Sequence, residues 1–190
     1  ADGSNWYYDS GELFAVKTGD SKTIFSVNGT GAVGLGTASG SISKSNLVIG
    51  DATALDTATH EAQKNTFVGQ TEVARAITGG HSNTFFGFQA GEDLVNGDRN
   101  TCIGALAGMN ITNTGDVTYL GHEAGKLTAG GNNTGIGSGA LAAAGSSNST
   151  AVGFDAGKNA TNIASTCVGY RAGQTLTGGQ SCTLIGADAT

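Results

Sequence analysis

The stretch that decides the fold is Asn83–Gly91, NTFFGFQAG. It recurs. Aligned on Gly87, related copies sit at Gly69, Gly104, Gly121, Gly137, Gly153, Gly169 and Gly186, in steps of 18, 17, 17, 16, 16, 16 and 17 residues. A looser copy, NLVIG, ends at Gly50, and an eroded one, GAVG, ends at Gly34. A fixed period of this size is the signature of a solenoid or array and takes precedence over any local motif.

Three residues before the anchor stands Thr in eight of eight regular copies, from Thr66 to Thr183. Directly before it stands an apolar residue: Val68, Phe86, Ile103, Leu120, Ile136, Val152, Val168 and Ile185. Residues two apart on a strand share a face. Threonine and the apolar residue therefore share one, and the apolar member marks it as the buried one. The residue between them (Phe67, Phe85, Cys102, Tyr119, Gly135, Ala151, Cys167, Leu184) shows no fixed chemistry.

Three residues after the anchor comes Ala in every regular copy but the first, which has Glu72, and a second Gly usually follows, as at Gly91, Gly108 and Gly125. A Gly-x-x-Ala-Gly corner asks for backbone freedom and leaves room for only a methyl group. The variable piece behind it, such as GEDLVNGDR, absorbs all the change in repeat length. Invariant strand plus variable loop is how a solenoid keeps its core while altering one edge.

The expected fold is therefore all-β: a repetitive β-solenoid or β-helix fibre of 16–18-residue repeats. Residues 1–45 form an N-terminal β segment or neck, and residues 46–190 an array of about nine coils. In the neck, Leu13–Val16 and Ile24–Val27 alternate around a turn-rich Thr18–Ser21 and predict a hairpin or a pair of short strands. Asn28-Gly29 is a second turn signal and 37–46 a polar connector. Residues 51–64 are read as an enlarged loop rather than a helix.

Composition excludes several classes. The chain has 33 Gly and no Pro, which removes collagen, and 38% hydrophobic with 13% charged residues is not the profile of disorder. A net charge of -6 offers no basic stripe for nucleic acid. No apolar run is long enough to span a membrane, and no export signal is visible at the N-terminus. Each coil carries few large apolar side chains, so a lone thin solenoid is under-cored. Self-association around a threefold axis, with Gly and Ala corners allowing close approach, is the expected remedy. A wider two-sheet monomer satisfies the same periodicity.

Repeats of the form N-T-x-Φ-G-x-x-A-G, preceded by FSVNGTGAVGLGTASGS, resemble the shaft repeats of bacteriophage tail fibres and tailspikes, which often stand upstream of an intramolecular chaperone of the endosialidase type. The similarity covers residues 65–187, and more loosely 22–50. The chain is similar, more distantly, to the heads of trimeric autotransporter adhesins. Both families are homotrimeric β fibres. The resemblance implies a structural and receptor-binding segment of a viral tail fibre, located in the virion and attaching to a host cell-surface glycan or protein receptor alongside other tail proteins. The alternatives are a tailspike-type polysaccharide depolymerase and a bacterial trimeric surface adhesin.

Chemistry is sparse. The two positions after the anchor are the most variable polar and aromatic ones. An aromatic ring beside amides and carboxylates is the usual equipment for gripping a sugar, so Phe88/Gln89, His122/Glu123, Phe154/Asp155 and Tyr170/Arg171 are the carbohydrate or receptor candidates. Against this, rings can pack between coils or chains. A regular threonine column suggests an ice-ordering array, but placing it on the buried face argues for an internal hydroxyl ladder instead. The acid pairs Glu92/Asp93 and Asp51/Asp56 lie on variable loops without an implied cleft, so no catalytic residue and no enzyme activity are expected. His60, His81 and His122 share no ligand spacing, and no metal or cofactor is expected. Cys102 and Cys167 fall in a column otherwise held by residues such as Phe and Leu and read as small buried hydrophobes.

Overall fold

Asparagine four residues before the anchor turns the chain into a coil. The computed structural model describes residues 12–17, 23–28, 33–35, 47–50, 64–69, 73, 77–161, 164–177 and 181–190. In it Asn65, Asn83, Asn100 and Asn133 are all buried. Each amide spans its own coil and reaches the next. Asn83 Nδ2 donates to Gly97 O at 2.9 Å, and its Oδ1 accepts from Asn100 N at 2.9 Å. Asn65 and Asn100 repeat the pattern, so one side chain closes a coil and locks it to its neighbour. A buried amide with both ends satisfied is stable where an unpaired one is not.

Twelve short strands form one sheet in sequence order. β1 (Glu12–Lys17), β2 (Thr23–Asn28) and β3 (Val33–Leu35) pair antiparallel. From β3 onward every pairing is parallel, through β4 (Leu47–Gly50), β5 (Thr66–Gly69), β6 (Thr84–Phe86), β7 (Thr101–Ile103) and β8 (Thr118–Leu120) to β9 (Thr134–Ile136), β10 (Thr150–Val152), β11 (Thr166–Val168) and β12 (Thr183–Ile185). Thr pairs with Thr and anchor with anchor, for instance Thr101↔Thr118 and Gly50↔Gly69. The chain is thus an all-β, parallel-stranded β-solenoid with a spacing of about 17 residues, as the periodicity predicts. The two alternating runs of the neck do pair, with Phe14 opposite Val27 and Val16 opposite Phe25. Trp6–Tyr8, the turn at 18–21, Gly29 of the second turn, the whole connector at 37–46, and all of the enlarged loop at 51–64 except Lys64 lie outside the described residues.

Which face is inside is the reverse of the expectation. Threonine and the apolar residue share a face, but it is the outer one. The residue between them is buried in β5 to β11: Phe67, Phe85, Cys102, Tyr119, Gly135, Ala151 and Cys167. Thr84, Thr118 and Thr150 are exposed, and Phe86 is 55% and Ile185 73% exposed. The physical reason is the asparagine. It lies two residues before the middle residue, so a period of two sends both to the same side, and its amide has partners only inside the coil.

The core is narrow and layered. Phe67 and Phe85 stack at 5.4 Å between centroids. The corner alanines Ala90, Ala107, Ala124, Ala140, Ala156 and Ala172 are fully buried. Leu94 and Ile111, from the variable loops, are buried in the same core. The anchor glycine is demanded twice over at Gly121, where φ is 137° and a Cβ would come within 2.6 Å of Gly137 O in the next coil.

Candidate functional site

The candidate residues occupy one corner of the coil, repeated at each height. In the turn Gly121-His122-Glu123-Ala124, Ala124 N donates back to Gly121 O at 3.2 Å. Glu123 sits at φ 58°, the left-handed value required at the third position of such a turn. The same residue of the other coils, Gln89, Leu106, Asp155, Arg171 and Asp188, shares that conformation. Glu123 N donates to Ala105 O of the preceding coil at 2.9 Å, so the turn is pinned along the array. The residue before it, at the tip, points outward: Phe88, His122, Phe154 and Tyr170 are exposed.

Among the described residues the structure brings Phe154, Tyr170 and Arg171 together. The rings of Phe154 and Tyr170, in adjacent coils, stack at 5.6 Å with planes 13° apart. Arg171 Cζ lies 4.8 Å from the Tyr170 centroid, a cation–π contact. One face of Tyr170 is therefore occupied by Phe154, and its guanidinium neighbour competes for the ring as well. Among the described residues no ring stacks on Phe88, and the next coil presents only Ala105 at the tip. Phe88 is as exposed as Phe154 and Tyr170 and stands beside the half-buried Gln89.

The carboxylates of the set are engaged locally. Lys126 Nζ donates to Glu123 Oε1 at 2.8 Å, and this bond, more than any other influence, holds the carboxyl below its usual range. Asp155 is buried against the backbone of Gly139, pairs with Lys158 Nζ at 3.1 Å, and accepts from Gln174 Nε2 at 3.0 Å. These two acids stabilise their own turns and leave the aromatic tips as the free chemistry of the corner. On the variable loop Glu92 is buried and Asp93 half-buried; Asp51, Asp56 and His60 lie outside the described residues. Cys102 and Cys167 are buried as expected, and burial pushes both thiols up.

A second concave region lies at the opposite end of the strands. A shallow groove of about 540 Å³ runs across successive loops, with Asn96, Asp98, Asn113, Asp116 and Asn132 among its walls and glycines such as Gly115 and Gly130 leaving it open. Arg99 crosses it, with Nε and Nη2 at 2.6 and 2.7 Å from the two carboxylate oxygens of Asp116 in the next coil. Sequence reasoning missed this groove and the asparagine column behind it. The signal was present as the N of N-T-x-Φ-G, but nothing in a single repeat says that loops one coil apart line up.

No family model, curated protein or solved structure matches the chain.

Proposed function

We propose that this chain is a structural and receptor-binding segment of a homotrimeric viral tail fibre that attaches the virion to a host-cell glycan or protein. The observation that carries the reading is the unbroken in-register parallel ladder from β3 to β12, whose outward strand face presents only threonine and apolar residues in its eight regular coils. A stack of coils tied to one another at every height transmits force along its length. A large exposed apolar strip on such a rod calls for a partner. The resemblance of N-T-x-Φ-G-x-x-A-G to fibre shaft repeats supports the same reading. Recognition falls to the corner tips, Phe88 among them, and three copies convert weak contacts into avidity.

Size-exclusion chromatography with light scattering tests it. The expected mass is three times the 18.7 kDa of one chain; a mass of one chain overturns the trimer and the fibre reading with it. A glycan array run on the trimer, with Phe88→Ala beside wild type, then tests the receptor role.

A second reading is favoured by one observation. The threonine column faces outward, so the objection to an ice-ordering array falls away. The apolar column beside it varies from Val152 to Phe86 in bulk, which makes the face uneven and favours contact with protein over a flat lattice. Thermal hysteresis of ice growth separates the two.

A further inference from the structure

We infer that the outward Thr-x-Φ face of β5 to β12 is the surface through which copies of this chain meet, side by side, parallel and at equal height. The inference rests on the fibre reading above and adds to it which face, which direction and which register.

Three features select a second copy as the occupant. The first is the distribution of apolar surface. Of the large exposed hydrophobics, Phe86, Leu120, Ile136 and Ile185 stand in the apolar column, and Phe88, Phe154 and Tyr170 stand at the corner that borders it. Among the described residues only Leu127 lies elsewhere.

The second is charge. Neither the threonine nor the apolar column contains a charged residue in any of its eight coils. Charges flank the face instead, as Arg99 with Asp116 on one border and Glu123 with Lys126 beyond the other. On a face turned toward a rotation axis, the residues closest to the axis meet their own copies. Apolar groups and hydroxyls tolerate that, since a threonine hydroxyl both donates and accepts. A carboxylate or ammonium would meet a like charge at each step.

The third is period. Eight in-register strands at ~4.8 Å make a ledge about 34 Å long. A surface with the same rise over that length, in the same direction, is another copy of the chain. Rotation about an axis parallel to the rod leaves each residue at its own height, so the coil that carries Thr118 lies against the same coil of the next chain.

Cysteine pairing tests the face. Thr118→Cys, Leu120→Cys and, beyond the bordering corner, Lys126→Cys are each placed in a Cys182→Ser background, because Cys182 is the one described cysteine that is not buried. Light scattering establishes the assembly first. Under mild oxidation, or with a short bis-maleimide where the disulfide geometry is not met, Thr118→Cys or Leu120→Cys chains convert mostly to covalent dimers, and Lys126→Cys chains stay single. A trimer that links at Lys126→Cys and at neither strand position overturns the inference and leaves the fibre reading standing. A monomeric mass overturns both. Co-assembling Thr118→Cys with a size-tagged Thr150→Cys chain tests register: like-with-like products are expected, and mixed products overturn equal height, since two coils separate the positions by more than a disulfide spans.

Discussion

The ring of Tyr119 occupies the room that a side chain at Gly135 would need: a Cβ on Gly135 would lie 3.1 Å from Tyr119 Cδ1. The two are partners in the inner column, where β8 pairs with β9. The ring also covers Gly125 at the corner of its own coil. At this height the inner column sets its largest residue against its smallest.

That relationship predicts two opposite outcomes at one position. Tyr119→Ala empties the layer and should cost roughly 3–5 kcal/mol. Tyr119→Phe should be neutral or slightly stabilising. The phenol oxygen is buried near Asn133 and Thr128 but makes no hydrogen bond of adequate geometry, and burial pushes its ionisation up to about 12. Removing an unpaired buried hydroxyl has little cost. Chemical denaturation of the two variants checks both.

The asparagine column predicts a graded effect. Asn100→Ala orphans Val117 N and Thr114 O, both now bonded to the amide, and should destabilise by about 1–3 kcal/mol. The ladder lapses at Val117, the one apolar residue in the column between Asn65 and Asn133. Val117→Asn should be tolerated with loss of no more than about 1 kcal/mol, its amide partners offsetting the lost apolar burial. Urea midpoints of the single variants decide it.

Gly121→Ala should destabilise by at least about 2 kcal/mol, since it forces an L-residue to a φ of 137° and drives a methyl onto Gly137 O. Gly145→Ala is the control. A Cβ there meets nothing within 4 Å, so its thermal midpoint should stay near wild type.

Acid should loosen the loop edge. The Arg99 guanidinium bonded to Asp116 holds that carboxyl below the usual aspartate range. A depressed carboxylate contributes stability above its unfolded value, near 3.9, and loses it as pH falls through the lower folded value. Both groups are exposed, so the effect is small. Asp116→Asn should lower the thermal midpoint slightly near neutrality, and the difference from wild type should shrink as pH falls below the usual aspartate range.

Leu120→Asp should dissociate the assembly while leaving the coil intact, because it places a carboxylate where copies meet and disturbs no buried group. Light scattering should fall from three chains to one, with the circular dichroism of the β coil unchanged. Loss of the spectrum together with the mass would mean that the coil does not stand without its partners.

Much was legible from the residues alone. The step of 16 to 18 residues required a stacked coil, and the alternation of Thr and apolar residues required that they share a face. Glycine at 87, 104 and 121 and alanine at 90, 107 and 124 marked a corner with no room, as the buried alanines show. These are local properties, set by backbone sterics and a period of two. Which face turns inward is not local. Val152 or Ile136 outweighs Ala151 or Gly135 by hydrophobicity, yet Ala151 and Gly135 are inside. The decision lies with Asn133 and its equivalents, whose amides find a carbonyl across the coil and an amide in the next only when they point inward. Those partners are 13 to 16 residues away and are brought near by the coiling itself. The cost of an unpaired buried amide, visible only in three dimensions, overrode the preference of the larger apolar side chains and left them facing outward.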